Sequence, residues 1–135
     1  MGIKTVGFGP SLQVDWGSDL KAFAWSEGVL TITVACGISA EHVIRGLEIR
    51  FANASGLRFL DELDLARYWP SDGFVRGFHV LEVFAEGWAD EETKLQGYDR
   101  SRREWLVVTG NGCANVFAAE SPCVAEVSWP LQSGS

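Results

Sequence analysis

A chain of 135 residues with 47% hydrophobic and 12% aromatic content is expected to form one domain over residues 1–135, burying roughly two-thirds of its unfolded surface. Its formal charge of -7 argues against nucleic acid or an anionic membrane as a partner, because either would repel it, and favours a basic one. The composition is far from that of disordered chains.

Three cysteines, Cys36, Cys113 and Cys123, form no repeated spacing. The N-terminal stretch lacks the apolar segment of a secretory signal, and no apolar run approaches the roughly 20 residues that span a bilayer. Val6 stands where a myristoylation motif requires Ser or Thr. These features predict a cytoplasmic protein with reduced thiols.

In chain order, residues 3–8 and 12–16 read as short extended pieces broken by Gly7, Gly9 and Pro10. Leu20–Trp25 and Val29–Cys36 then flank Ser26-Glu27-Gly28 as a hairpin with a three-residue loop. In its second arm Leu30, Ile32, Val34 and Cys36 form the more apolar set and are expected to face the core. His42–Ala52 alternates again, with Leu47, Ile49 and Phe51 on one face. Asn53–Gly56 has turn composition, and Leu57–Leu60 reads as the strand returning beside it.

Asp61 can cap a short helix near 61–69, with Asp64 three residues on, acids toward its positive end, and Leu65, Tyr68 and Trp69 sharing a face. Pro70 ends it. Phe78–Ala85 reads as a strand. Glu86-Gly87-Trp88 leads into a polar stretch, Asp90–Arg103, expected to be irregular with at most a helical turn. Glu104–Thr109 and Cys113–Ala119 flank Gly110-Asn111-Gly112 as a second hairpin, whose first arm is apolar on both faces and so predicted to be a central, doubly covered strand. Val124–Trp129 is the last strand. The fold class is α+β, mainly antiparallel β, as two layers or one strongly curved sheet, with one short helix near 61–69.

Candidate chemistry is sparse. Neither His42 nor His79 has a second His or Cys at i+3 or i+4, and there is no C-x-x-C, so no metal or other cofactor is expected. Cys113 and His79 lie near strand ends that could adjoin as a nucleophile pair. No basic cluster surrounds Cys113 to lower its pKa, and a core cysteine is the simpler reading. Asp61, Glu62 and Asp64 are accounted for by capping and adjacent acids point apart, which disfavours a glycosidase pair. Asp90-Glu91-Glu92 lacks the pattern of a calcium loop. The chain therefore reads as a binding protein rather than an enzyme.

Acidity is the stronger signal. Residues 57–92 hold nine acids against Arg58, Arg67 and Arg76, so this span carries -6 of the total -7. A solvated surface is the plain explanation; a docking surface for a basic protein is the functional one. The candidate partner-binding residues are Asp61, Glu62, Asp64, Glu86, Asp90, Glu91 and Glu92, with Trp88 as the exposed aromatic anchor. A small apolar ligand held by the many Phe and Trp side chains between two β layers is the alternative.

The segments AWSEGVLTI (24–32), GLRFLDELDLARYW (56–69), EGWADEE (86–92) and EWLVVTGNGCANVFA (104–118) together resemble small bacterial immunity proteins of polymorphic or contact-delivered toxin systems. The resemblance spans roughly residues 20–120 and carries no catalytic motif. It implies a cytoplasmic inhibitor that binds a toxin domain and blocks its active site or substrate surface.

Overall fold

A computed structural model of the chain describes residues 2–12, 14–15, 17–39, 41–61, 68, 70–98 and 101–130. Its strands are β1 (Lys4–Ser11), β2 (Asp19–Ser26), β3 (Val29–Ile38), β4 (Val43–Ala52), β5 (Gly56–Asp61), β6 (Phe78–Ala85), β7 (Glu104–Val108), β8 (Gly112–Phe117) and β9 (Cys123–Pro130), with one helix among the described residues, α1 (Trp88–Gln96). They form two wholly antiparallel sheets, one of order β1-β6-β7-β8-β5 and one of order β2-β3-β4-β9. This is the mainly antiparallel α+β class in its two-layer form. None of the described helical structure is long and apolar enough to cross a membrane.

Side-chain alternation explains the layering. Leu30, Ile32 and Val34 of β3 and Leu47, Ile49 and Phe51 of β4 are buried against Val80 of β6, Trp105 and Val107 of β7, and Ala114 and Val116 of β8. These are the inward sets that strand periodicity selects. The opposite face of the five-stranded sheet holds a second cluster, in which Leu81, Leu106, Val108 and Cys113 pack with Leu60, Tyr68, Phe74 and Ile3. That sheet is thus covered on both sides, and all five residues of β7, its central strand, are buried.

Several local expectations change. The first hairpin turns on two residues: Glu27 and Gly28 both have positive φ, 51° and 80°, as a type I′ turn requires to match strand twist. Residues 4–8 belong to one longer strand, β1, with Ile3 just before it, whereas the described residues of 12–16 lie outside any strand. β5 does not pair with β4. It crosses to the other sheet and pairs with β8, from Gly56 opposite Phe117 to Asp61 opposite Gly112, while β4 lies between β3 and β9. Alternation assigns faces but not neighbours, so the short link 53–55 serves equally for a hairpin or a layer crossing. Asp61 closes β5; the expected helix near 61–69 otherwise falls on 62–67 and 69, outside the described residues, together with Glu62, Asp64, Leu65 and Trp69. Tyr68 is buried, as a core anchor should be.

The Gly110–Gly112 turn is held from the other layer. Buried Ser18 accepts the Gly110 N–H at 2.7 Å through Oγ, and its carbonyl accepts from Asn111 Nδ2 at 3.0 Å.

Candidate functional site: an acidic helix mounted on a buried carboxylate

The polar stretch after β6 is a nine-residue helix rather than an irregular excursion. Gly87, its N-cap, supplies no side-chain cap, and the first-turn N–H groups would be orphaned on a buried surface. Glu104 of β7, facing outward from the sheet, fills that role: Oε2 accepts from Trp88 N at 2.9 Å and Oε1 from Ala89 N at 2.7 Å. Asn115 of β8 donates Nδ2 to the same Oε2 at 2.8 Å. A negative charge at the helix N-terminus also complements the positive end of the helix dipole. Gly87 permits the approach, since a Cβ there would lie 2.6 Å from Glu104 Oε2. At the other end Gly97, with φ of 83°, donates to Thr93 O, a C-terminal arrangement that glycine favours.

The mount extends to β5. Arg58, opposite Asn115 in register, donates to Asn115 Oδ1 through Nε and Nη2, to Tyr68 Oη at 2.9 Å and to Glu91 Oε2 at 2.8 Å. Its guanidinium lies 5.3 Å from the Trp88 ring centroid. Trp88 stacks on Phe117 of β8 with centroids 4.1 Å apart and planes at 14°. Burial holds the Glu104 carboxyl above the usual carboxylate range, overcoming the lowering effects of the Ala89 and Trp88 N–H groups, Asn115 and Arg58. Burial likewise raises Tyr68 against the Arg58 charge.

The structure brings Glu86, Trp88, Asp90, Glu91 and Glu92 together on and beside α1, and most have internal tasks. Asp90 Oδ2 accepts from Glu86 N at 2.6 Å. Glu91 pairs with Arg58. Glu92 accepts from Trp88 Nε1 at 3.1 Å and from Gln96 Nε2 at 3.2 Å. Trp88 is therefore a half-buried internal anchor rather than an exposed one. The large apolar groups that α1 and its end present to solvent are Leu95 and Tyr98, 81% and 59% exposed, which sequence reasoning passed over. First-turn acids, Lys94 in the last turn and the terminal Gly97 were the available signals.

His79 and Cys113 do not adjoin. The register places β7 between them, with His79 beside Val108 and Cys113 opposite it, so their backbones are about two strand spacings, ~9.6 Å, apart. His79 Nδ1 lies 2.6 Å from the Val108 carbonyl; a carbonyl only accepts, so Nδ1 carries the proton. Nε2 is buried and has no hydrogen-bond partner. Burial lowers the His79 pKa, outweighing the raising effect of the Val108 bond. Neutral burial contributes stability that is complete above the unfolded-state value of about 6.5 and is lost as pH falls from there through the folded value. His79→Gln should flatten that segment of the stability curve, measured by urea denaturation at stepped pH. Parallel curves for the two proteins would exclude the buried neutral imidazole as its source.

A cleft of about 570 Å³ opens at one end of the sandwich, lined by residues that include Leu12, Asp15, Cys36, Ser39, Arg45 and Glu126. Burial raises the Cys36 thiol pKa, opposed by Arg45, so proximity to the cation does not make it a ready thiolate. The three cysteines are all unbridged. Among the described residues no group of three or more His, Cys, Asp or Glu side chains is placed to hold a metal ion. Comparison with protein-family models, curated proteins and solved structures finds no match to this chain.

Proposed function

We propose that this chain is a non-enzymatic, cytoplasmic binding protein of the immunity type, which neutralises a cognate toxin domain by docking a basic surface of it. The observation that carries the reading is α1: a short acidic helix, fixed to the sheet through Glu104, Arg58 and the Trp88–Phe117 stack, with Leu95 and Tyr98 left in solvent. From Glu86 to Tyr98 four acids stand against Lys94. Complementary charge steers association and selects partners, while an apolar centre supplies affinity. Asp61, Glu62 and Asp64 extend the acidic character along the chain from the end of β5. Trp88 fixes the helix rather than entering the partner.

The test is co-expression with the toxin domain of a neighbouring gene, together with measured binding rates. Because Glu91 and Glu92 make internal bonds, neutral isosteres are the right probe. Asp90→Asn, Glu91→Gln and Glu92→Gln combined should slow association roughly tenfold at low salt and flatten its salt dependence. Unchanged rates and unchanged protection would remove α1 from the interface.

A second reading, a small-ligand binder, is favoured by the end cleft, whose volume falls in the range of ligand sites. The space between the layers is occupied by packed side chains, so a ligand would sit at that end rather than at the centre. Native mass spectrometry of freshly purified protein distinguishes it by a carried-over small molecule.

A further inference from the structure

On the side of the sandwich where α1 sits, both sheets end in free edges. β2 is the last strand of one sheet and β5 of the other, each paired with one strand only among the described residues. Their inward-facing positions run past the covered core. Phe23 and Trp25 pair with Ile32 and Leu30, and Phe59 with Ala114, so all three share the direction of buried neighbours. Yet they are 39%, 48% and 54% exposed. Phe23 meets Phe59 edge to face across the layers, centroids 6.2 Å apart. The result is a strip of three large aromatic rings lying between two unpaired backbone edges. Adjacent exposed rings on free strand edges are what folded monomers ordinarily avoid.

The surroundings identify the occupant by charge. Asp19 opens β2 and Glu27 follows its last residue, so an acid stands at each end of the strand. The cation on β2 is Lys21, at the bulge between Leu20 and Ala22. A second copy of the chain would bring the same acids and a net charge of -7 against them, and the bulge interrupts continuous pairing along β2. Arginine side chains suit the site: a guanidinium lies flat on an aromatic face and pairs with carboxylates at its rim. The unpaired N–H and C=O groups suit an extended backbone. On the opposite face of β5, Arg58 ties directly to α1 through Glu91. The aromatic strip and the acidic helix therefore flank one strand edge.

We propose that this edge receives an arginine-bearing extended segment of a protein partner, with Phe23, Trp25 and Phe59 as its anchors. This rests on the reading of the chain as a binder of a basic protein, and it moves the affinity-determining residues from Leu95 and Tyr98 to the strip.

The probe is a capped eight-residue peptide of alternating Arg and Val, with an alternating Glu and Val peptide as control. Amide chemical shifts of the full chain map the site, and titrations are repeated with Trp25→Ser and Phe59→Ser. The expected result is shifts along β2 and β5 with the arginine peptide alone, and affinity reduced roughly 30-fold by each substitution, as for interface anchors. Since shift mapping is done on the unaltered chain, it decides the question even if a variant fails to fold. Binding confined to α1 and indifferent to both substitutions would overturn the strip while leaving the basic-partner reading intact. Shifts in β2 that follow protein concentration alone would assign the edge to a second copy instead. No binding of the arginine peptide would also overturn the strip, and the co-expression test then decides the partner reading separately.

Discussion

Replacing Trp105 with alanine should cost about 3–5 kcal/mol, the range for removing a large aromatic from a filled core. Trp105 is fully buried on the inner face of the central strand β7. Phe8 meets it edge on at 5.2 Å and Phe51 packs from the opposing sheet at 6.4 Å. The Arg103 guanidinium lies 4.7 Å from its ring centroid, held by a bond from Nε to Glu82. Its indole N–H donates to the Ala118 carbonyl at 3.1 Å. A domain of this kind has a total stability of roughly 5–15 kcal/mol, so the alanine variant forfeits a large share of it. Trp105→Phe keeps most of the ring but leaves the Ala118 carbonyl unpaired, for a smaller loss of about 1–3 kcal/mol. Urea denaturation of both variants gives the comparison. A loss below about 1 kcal/mol for alanine would show that the layers are not keyed together at this residue.

The residue before it acts on the other face. Glu104→Ala should release α1 before it disturbs the sheets. The substitution leaves the N–H groups of Trp88 and Ala89 and the Asn115 amide without their acceptor, each costing about 1–3 kcal/mol if it stays buried. Fraying of α1 into water limits that cost, so the sensitive measurement is hydrogen exchange. α1 amides should exchange at least about tenfold faster, while β7 and β8 amides keep their protection. Equal protection of α1 in both proteins would mean that Glu104 is not its anchor.

Glu104→Gln separates charge from shape. All three polar neighbours of the carboxylate donate, so the new amide nitrogen must face a donor. The pH dependence has a definite sign. Because the folded-state pKa of Glu104 is raised, its contribution to stability is fully present below the ordinary carboxylate value and is lost as pH rises through the folded value. Acidification through that window should stabilise the natural protein relative to Glu104→Gln. His79 acts in the opposite sense at the upper end of the acid range, so the two variants should bend the stability curve in opposite directions.

Much of the fold is legible in local pattern. Alternation alone identifies the inward faces of β3 and β4, and apolarity on both faces marks β7 as a covered central strand, because a strand's two side-chain directions are set by its own backbone. The Asn-Gly signal locates the β7–β8 hairpin. α1 was harder to see because its cap comes from Glu104, on a later strand. Its short polar sequence offers no broad apolar stripe, and a carboxylate reaching back across the chain leaves no local signature.

Acidity, aromatic content and antiparallel strand pattern are determined by the sequence itself, since each follows from residue type and nearest-neighbour geometry. Which strands lie side by side, and so which side chains are free to meet a partner, only the tertiary structure decides. β5 joins β8 rather than β4, and this brings Arg58 under α1 and Phe59 beside Phe23. Trp88 has the sequence context of an exposed anchor and is drawn onto Phe117; Trp25 has that of an ordinary strand residue and stands in solvent. The reason is physical: exposure is set by what covers a side chain, and the covering groups here come from strands distant in the chain.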